Sequence, residues 1–525
     1  MARRTDGRVR LRGHWPTCSS HAFEADIVVV GGGTAGALVA ARLAECTDAR
    51  VLVLEAGPEY PWWALGVPLA SYRLSRPWSW GFESVPQSAL DGRRIRFPMG
   101  RVLGGSSSVN AMIAAQGPAS DYDAWAAAGC VGWSWNDVEP CWTRAIDRSR
   151  AGSVCVEQPS FTSPFTEALI GACEEHGLAR VDALTGERSQ TCGRFALFQR
   201  QRRRYSTAYA LAHAVDEGRV SVATAAQVRH ILFENDRAVG VECGDGRSQM
   251  TVRASSGVVL CGGVFGSPSI LMRSGIGPPE RLRASGINVR HCLPGVGENL
   301  HDHIGVPVVL ASQQPSPARR SRWIPAAIQY AISRRGVMAS NGCEGGAFLG
   351  LPGMSPDLEI AGLFQTFHHR QAVEIAAIVM HPEGRGCVTL DPHRPSGAPI
   401  IDPRALSAPE DLRRLREGID RIRDISARPS LRNFGLSGEL MPGTADVDAH
   451  IRRYASTHYH PAGTCRMGTD EMSVVSPDLS VNGTRGLWIC DASVIPRLPA
   501  GHSAATAIII ASRGGDLIAR HLSAG

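Results

Sequence analysis

The chain is 525 residues long, 43% hydrophobic and 20% charged, the composition of a folded globular protein with room for two or more domains. Its formal charge is only +6, and every one of its 55 basic residues is arginine. With no lysine there is no Schiff base to a carbonyl or to pyridoxal phosphate, and no phosphate-binding lysine of a P-loop.

The N-terminal arm, residues 1–23, carries "ARRTDGRVRLRGH" and is expected to be disordered. Together with "RQRRR" at Arg200 to Arg204 it holds most of the basic surplus. Both runs read as solvated surface, so no nucleic-acid partner is expected. Fourteen cysteines lie scattered without a CxxC pair or zinc spacing. They read as free thiols of a reducing compartment, which suggests the cytoplasm. Arg3 and Arg4 precede no apolar export segment, so no signal peptide is expected. Runs such as "AATAIIIA" fall short of the roughly 20 residues a membrane span needs.

Asp26 to Gly57 read "DIVVVGGGTAGALVAARLAECTDARVLVLEAG". Ile27 to Val30 is short, apolar and β-branched, as a buried parallel strand should be. Gly31, Gly33 and Gly36 follow in G-x-G-x-x-G spacing, with Thr34 and Ala35 between them, and then an alanine-rich helix from Ala37 to Ala44. A second strand, Val51 to Leu54, ends in Glu55 and Ala56. Gly31 allows the strand-to-helix turn, Gly33 lets amides approach a pyrophosphate, and Gly36 permits close packing. Glu55 is placed to accept hydrogen bonds from a ribose diol. The pattern predicts a dinucleotide site.

Three later segments distinguish the dinucleotide. "PMGRVLGGSSSVNAM" (Pro98 to Met112) is a second glycine and hydroxyl cluster, with Arg101, Gly105, Ser106 and Asn110 as candidate contacts. "GVVLCGGVFGSPSILMRSGIGP" (Gly257 to Pro278) is again strand, turn and helix. "GLWICDASVIPRLPAGHSAATAIIIASRGGDLIARHL" (Gly486 to Leu522) is strand, acid, loop and long helix, with Asp491 and Ala492 at the strand end. Val228 is a further candidate contact. Four separated pieces returning to one sheet suit a long, buried cofactor that rarely leaves. That favours FAD over an exchanging nicotinamide.

These residues resemble the glucose-methanol-choline (GMC) oxidoreductases. "GRVLGGSSSVN" with "GPASDYDAW" looks like the family's first signature and "GSPSILMRSGIGP" like its second. "LPGVGENLHDH" (Leu293 to His303), "HPAGTCRMG" and "DASVIPRLPAGH" follow in the family's order. The resemblance implies an α/β fold: a Rossmann-like FAD-binding domain from discontinuous segments (24–130, 215–304 and 455–525). A substrate-binding sheet-and-helix domain of α+β type (131–214 and 305–454) should cover the flavin. Some members link FAD covalently to a histidine near the "GGSS" cluster. Here Ser108 leads into Val109 and Asn110, so non-covalent FAD is expected.

Oxidising an alcohol removes a hydroxyl proton and a carbon-bound hydride. Flavin N5 can take the hydride, and a histidine suits the proton because its free pKa is about 6.5. The resemblance implies two catalytic residues: His460, in "HPAG", and His502, in "LPAGHS". Pro461 and Gly463 constrain the loop that carries His460. Tyr459 is a candidate for the pocket wall, and His458 reads as a surface or supporting histidine. H-x-H at His458 and His460 invites a metal, but no further ligand cluster is evident and none is expected. "HDH" at His301 to His303 reads as packing beside the cofactor, and His368 and His369 as residues of the unmatched domain. The implied activity is oxidation of the CH–OH group of a small-molecule alcohol, with oxygen or another carrier reoxidising FAD. The alternative is a flavin-containing hydroxynitrile-lyase-like enzyme that uses the same histidines without net redox.

Overall fold

The computed structural model describes residues 23–69, 76–150, 152–244, 249–315, 323–364 and 371–524. The N-terminal arm up to residue 22, and His368 with His369, lie outside them.

The β-branched run near the N-terminus forms the strand Phe23–Val30, with Ile27, Val28 and Val29 fully buried. It is central in a seven-stranded sheet. Its parallel neighbours are Val51–Leu54 on one side and the long strand Gln249–Leu260 on the other. Val220–Ala223 extends the sheet beyond Val51–Leu54. The far end of Gln249–Leu260 pairs in parallel with Leu487–Ile489. Chain segments separated by hundreds of residues thus meet in one sheet, whose buried strands are apolar on both faces as parallel strands must be. The Pro98–Met112 cluster does not add a strand to it. It forms a short 3₁₀ turn, Gly105–Ser108, docked on the first glycine loop. The helix Thr34–Cys46 packs against the C-terminal helix Ser503–Ala524, where Arg42 Nε donates to Asp516 at 2.6 Å.

A second, eight-stranded sheet runs in the order Leu436–Met441, Ile304–Ser312, Ala372–Val379, Leu358–Leu363, Gly345–Leu349, Thr191–Phe195, Ala179–Leu184, with Ser456–Thr457 pairing Ile304–Ser312. The helices Pro164–Glu175 and Pro409–Ser426 pack against it. Pairing of Ile304 with Thr457 brings "HDH" alongside "THYHPAG".

One basic residue departs from the surface reading. Arg204 is 1% exposed and donates to the carbonyls of Leu65, Ser107 and Asn110. Burial lowers its pKa to about 10, and the fan of carbonyl acceptors replaces lost water.

Candidate active site

The glycine loop is built as its spacing requires. Gly31 has φ 101°, and a Cβ there would strike the Cys261 carbonyl; a Cβ on Gly36 would strike the carbonyl of Gly31. Gly33 differs. The nearest atom to a Cβ there is 3.9 Å away, so the protein's own packing does not demand glycine. Gly33 is also the N-cap of the helix Thr34–Cys46 and offers no side-chain cap, which leaves helix amides for a ligand. Ala35 is buried in that helix.

The second cluster meets the first there. Gly104 N donates to Gly32 O at 2.7 Å, and Ser107 N to Thr34 Oγ1 at 3.1 Å. A Cβ on Gly105 would fall 2.7 Å from the Gly33 Cα. Of the three serines only Ser106 keeps a half-exposed position. The Ser107 and Ser108 hydroxyls donate internally, to Gly104 O and Leu103 O. Glu55 accepts from Gly32 N at 2.8 Å and from Gly57 N at 2.7 Å, across the half-buried Ala56. Burial pushes its pKa up to about 7 against those two amides. Arg101 stacks 4.8 Å over Trp80. The amide oxygen of Asn110 accepts from Arg204 at 2.8 Å and from Met112 N at 3.0 Å. Val228 is buried in the strand Gln227–Glu234. Asp491 accepts from Gly263 N and from the Ser267 hydroxyl, tying the second strand-turn-helix to the last strand, and Ala492 O accepts from Gly463 N. A glycine loop with room at Gly33, uncapped helix amides and a buried acid fit a dinucleotide such as FAD.

The histidines come together on the other side of this frame. The rings of His460 and His502 are edge-to-face with centroids 4.5 Å apart. Both are buried. His303 Nδ1 lies 2.9 Å from His460 Nδ1, and the His303 Nε2 is buried with no protein partner among the described residues. His458 is half-buried, its ring 6.0 Å from His460. Burial and the neighbouring imidazoles hold His460 and His303 well below the ordinary imidazole range, and burial takes His458 to about 4. All three are therefore neutral near pH 7. Among the described residues no three His, Cys, Asp or Glu side chains are arranged to hold a metal ion.

Two carboxylates organise the cluster. Asp302 accepts from the His460 backbone N–H at 2.9 Å and from the Thr457 hydroxyl, which clamps the "THYH" loop. Burial raises Asp302 to about 7. Glu359, fully buried on the strand Leu358–Leu363, stands 3.2 Å through each carboxylate oxygen from His502 Nε2. Gly463, at φ 94°, passes so close to His301 that any Cβ would overlap the ring. Tyr459 is 53% exposed, with a left-handed φ of 69° and its ring 6.2 Å from that of His458.

The loop reading of "HPAG" leads to His460, but three members of the cluster were missed. The packing reading of "HDH" leaves out His303 and Asp302, whose signal is their place in "LHDH" beside an apolar strand. Glu359 was not singled out. A carboxylate inside the apolar run "LEIAGL" was the available signal, since a buried charge demands a partner.

Comparison with known proteins places this geometry in context. The GMC oxidoreductase family models match residues 25–305 and 382–511. The chain is 32% identical to an alcohol dehydrogenase [acceptor] of Pseudomonas putida, over 94% of this chain and 96% of the relative. It is also 32% identical to an oxygen-dependent choline dehydrogenase of Photobacterium profundum, over 94% and 92%. Among solved structures, pyridoxine 4-oxidase from Mesorbium loti superposes with TM-score 0.85 at 30% identity, covering 95% of this chain and 99% of that one.

Proposed function

The chain belongs to the GMC oxidoreductases, FAD-dependent enzymes acting on CH–OH donors, and on that premise we propose that it oxidises a small-molecule alcohol to a carbonyl with His460 as acid–base group and His502 as its partner on the same oxygen. The observation that carries this reading is the contact of the two rings, 4.5 Å between centroids, each backed by a separate buried group. FAD supplies the hydride acceptor.

His460 is neutral and has one nitrogen engaged by His303, so its Nε2 is the atom left to take the hydroxyl proton. For that, His460 must carry its own proton on Nδ1 and donate it to His303 Nδ1. His502 is set by Glu359: a carboxylate at 3.2 Å fixes the Nε2 proton and leaves Nδ1 as the other polar atom of the ring. After the transfer the His460 imidazolium faces the alkoxide, and His502 would hold negative charge on the same oxygen only as the doubly protonated ring, with Nε2–H on Glu359 and Nδ1–H on the oxygen, without any lysine or metal in the chain's own chemistry.

The glycine loop (Gly31, Gly33, Thr34, Ala35, Gly36) and Gly105 with Ser106 would hold the pyrophosphate, and Glu55 and Ala56 the ribose. Arg101, Asn110, Val228, Asp491 and Ala492 would complete the cofactor's surroundings. Val109 and Asn110 stand where a linking histidine would be needed, which supports dissociable FAD. We assign the seven-stranded sheet to the cofactor and the eight-stranded sheet to substrate, with Tyr459 at the pocket wall. No helix among the described residues is long and apolar enough to cross a membrane. The unpaired thiols of the described cysteines support a reducing, cytoplasmic setting.

The test is anaerobic. Adding an alcohol substrate should bleach the flavin absorbance of the purified protein. If a panel of primary alcohols, amino-alcohols and sugars turns over none of it, or if a cyanohydrin is cleaved with the flavin still oxidised, the redox reading fails.

A further inference from the structure

The helix Trp323–Ser333, "WIPAAIQYAIS", has two apolar faces and only one is covered. Trp323, Ala326 and Tyr330 pack inward on the core of the eight-stranded sheet, and the Tyr330 hydroxyl donates to Arg202 O at 2.8 Å. On the outer face Ile324, Ile328 and Ile332 stand at i, i+4 and i+8, in one row. They are 75%, 56% and 81% exposed. Ala327 and Ala331, also exposed, lie beside that row. A helix that merely faced water would carry polar residues there. This one offers only Gln329 and Ser333.

The chain segment that carries the helix has one sign of charge. From Ile304 to Cys343 the chain has no Asp or Glu. Arg334 and Arg335 follow the helix directly, are exposed, and pair with no carboxylate among the described residues. Arg202 reaches the carbonyl of Ser333 at the helix end. Trp63, 65% exposed, stands on a neighbouring segment tied to the same Gln199–Arg204 stretch through the bond from Arg204 to Leu65 O. The helix also lies in the stretch between residues 305 and 382 that neither family model covers.

We propose that this helix is a docking surface for an anionic lipid membrane, its isoleucine row entering the headgroup–acyl boundary with Arg334 and Arg335 on the phosphates. An apolar row flanked by unpaired arginines is the arrangement that lies in the plane of a bilayer rather than across it. At about 16 Å the helix is far too short to span. A second copy of the chain is the poorer occupant. The row is much smaller than the about 800 Å² per partner of a stable interface. The helix carries no Asp or Glu, so a second copy packed along it would offer Arg334 and Arg335 no carboxylate from that helix. Anionic headgroups instead meet arginine with the opposite charge.

The experiment uses the purified, FAD-loaded protein and flotation with extruded vesicles. One set is phosphatidylcholine alone; the other is phosphatidylcholine mixed with phosphatidylglycerol. The expected result is flotation with the mixed vesicles at low salt, and loss of it at high salt. The I324S/I328S/I332S variant should bind at least about tenfold more weakly, since each buried apolar group contributes to insertion. The R334E/R335E variant should lose at least about 25-fold, at about fivefold for each arginine removed from an anionic surface and more for the glutamates that replace them. Both variants should stay yellow and bleach with alcohol as the parent does, which separates a lost surface from a lost fold. The proposal is overturned if the parent protein floats with neither vesicle. It is overturned equally if both variants float like the parent. A parent dimer in sedimentation equilibrium, broken by the isoleucine variant and indifferent to vesicles, would assign the face to a second copy instead.

Discussion

His502 Nε2 lies 3.2 Å from both carboxylate oxygens of Glu359, a residue with no solvent exposure. A buried carboxylate without a cation or donor is costly, so the pair explains why a glutamate survives in an otherwise apolar strand. It also fixes which His502 nitrogen faces away from the strand. Glu359→Gln should keep the fold and the flavin but slow flavin reduction by about 10–10²-fold, the usual effect of removing a partner that orients a reacting histidine. The variant should shift the pH profile of the reduction rate as well. A rate within twofold of the parent, on an unchanged profile, would make Glu359 a packing residue.

His303 should act through its bond to His460. With Nδ1 to Nδ1 at 2.9 Å, one of the two rings donates. His303→Ala should lower the rate by about 10–10²-fold, because His460 loses the partner that holds its tautomer. His303→Asn should recover most of it, since a side-chain amide oxygen can stand where Nδ1 stood. Equal damage in both variants would point to lost packing. Rapid-reaction absorbance at the flavin band reads both.

The glycines separate structure from binding. Gly36→Ala should lower the melting temperature sharply, because its Cβ has no place beside the Gly31 carbonyl. Gly33→Val should fold, since 3.9 Å to the nearest atom leaves room for a Cβ, yet it should lose flavin because the side chain takes the pyrophosphate's space. The ratio of flavin to protein and a circular-dichroism melt decide. A yellow Gly33→Val protein would remove the loop from the cofactor site.

Asp302 gives a pH signature. Its carboxyl goes from an ordinary 3.8 to about 7 in the folded protein, through burial. The folded state therefore holds the proton more tightly than the unfolded chain. Its contribution to stability is complete below about pH 4 and is lost as pH rises through about 7. Asp302→Asn removes that proton. The melting temperature of the variant relative to the parent should then rise between about pH 4 and about pH 7. A constant difference across that range would mean that Asp302 is ionised in the native protein.

The cofactor frame was legible because its reasons are local. A β-branched run, three glycines at fixed offsets and an acid after the second strand each answer to a neighbour within about thirty residues. The strand Val51–Leu54 falls where the pattern put it, and the helix runs Thr34–Cys46, extending the alanine-rich stretch at both ends. The histidine cluster is a product of distant pairing. Ile304 opposite Thr457, and His301 opposite Ala462, bring "HDH" under "THYHPAG", and nothing within either segment announces the other. Glu359 comes from a different sheet strand again. The Ser107 and Ser108 hydroxyls answer to something simpler: in a tight turn they bond their own backbone first. Arg204 left the surface run because the Ser107–Asn110 turn offered it buried carbonyls.

The central claim is that His460 handles the proton and His502 shares the same oxygen. Stopped-flow flavin reduction in His460→Ala, His502→Ala, the double variant and His458→Ala tests it directly. His460→Ala should be slower by about 10²–10⁴-fold with FAD still bound, the usual worth of a general base. His502→Ala should also lose rate, and the double variant should fall short of the product of the two losses, because both rings act on one atom. His458→Ala should cost little, its ring lying 6.0 Å from His460 and outside the contacting pair. A crippled His458→Ala beside a His460→Ala enzyme of near-parent rate would contradict the account.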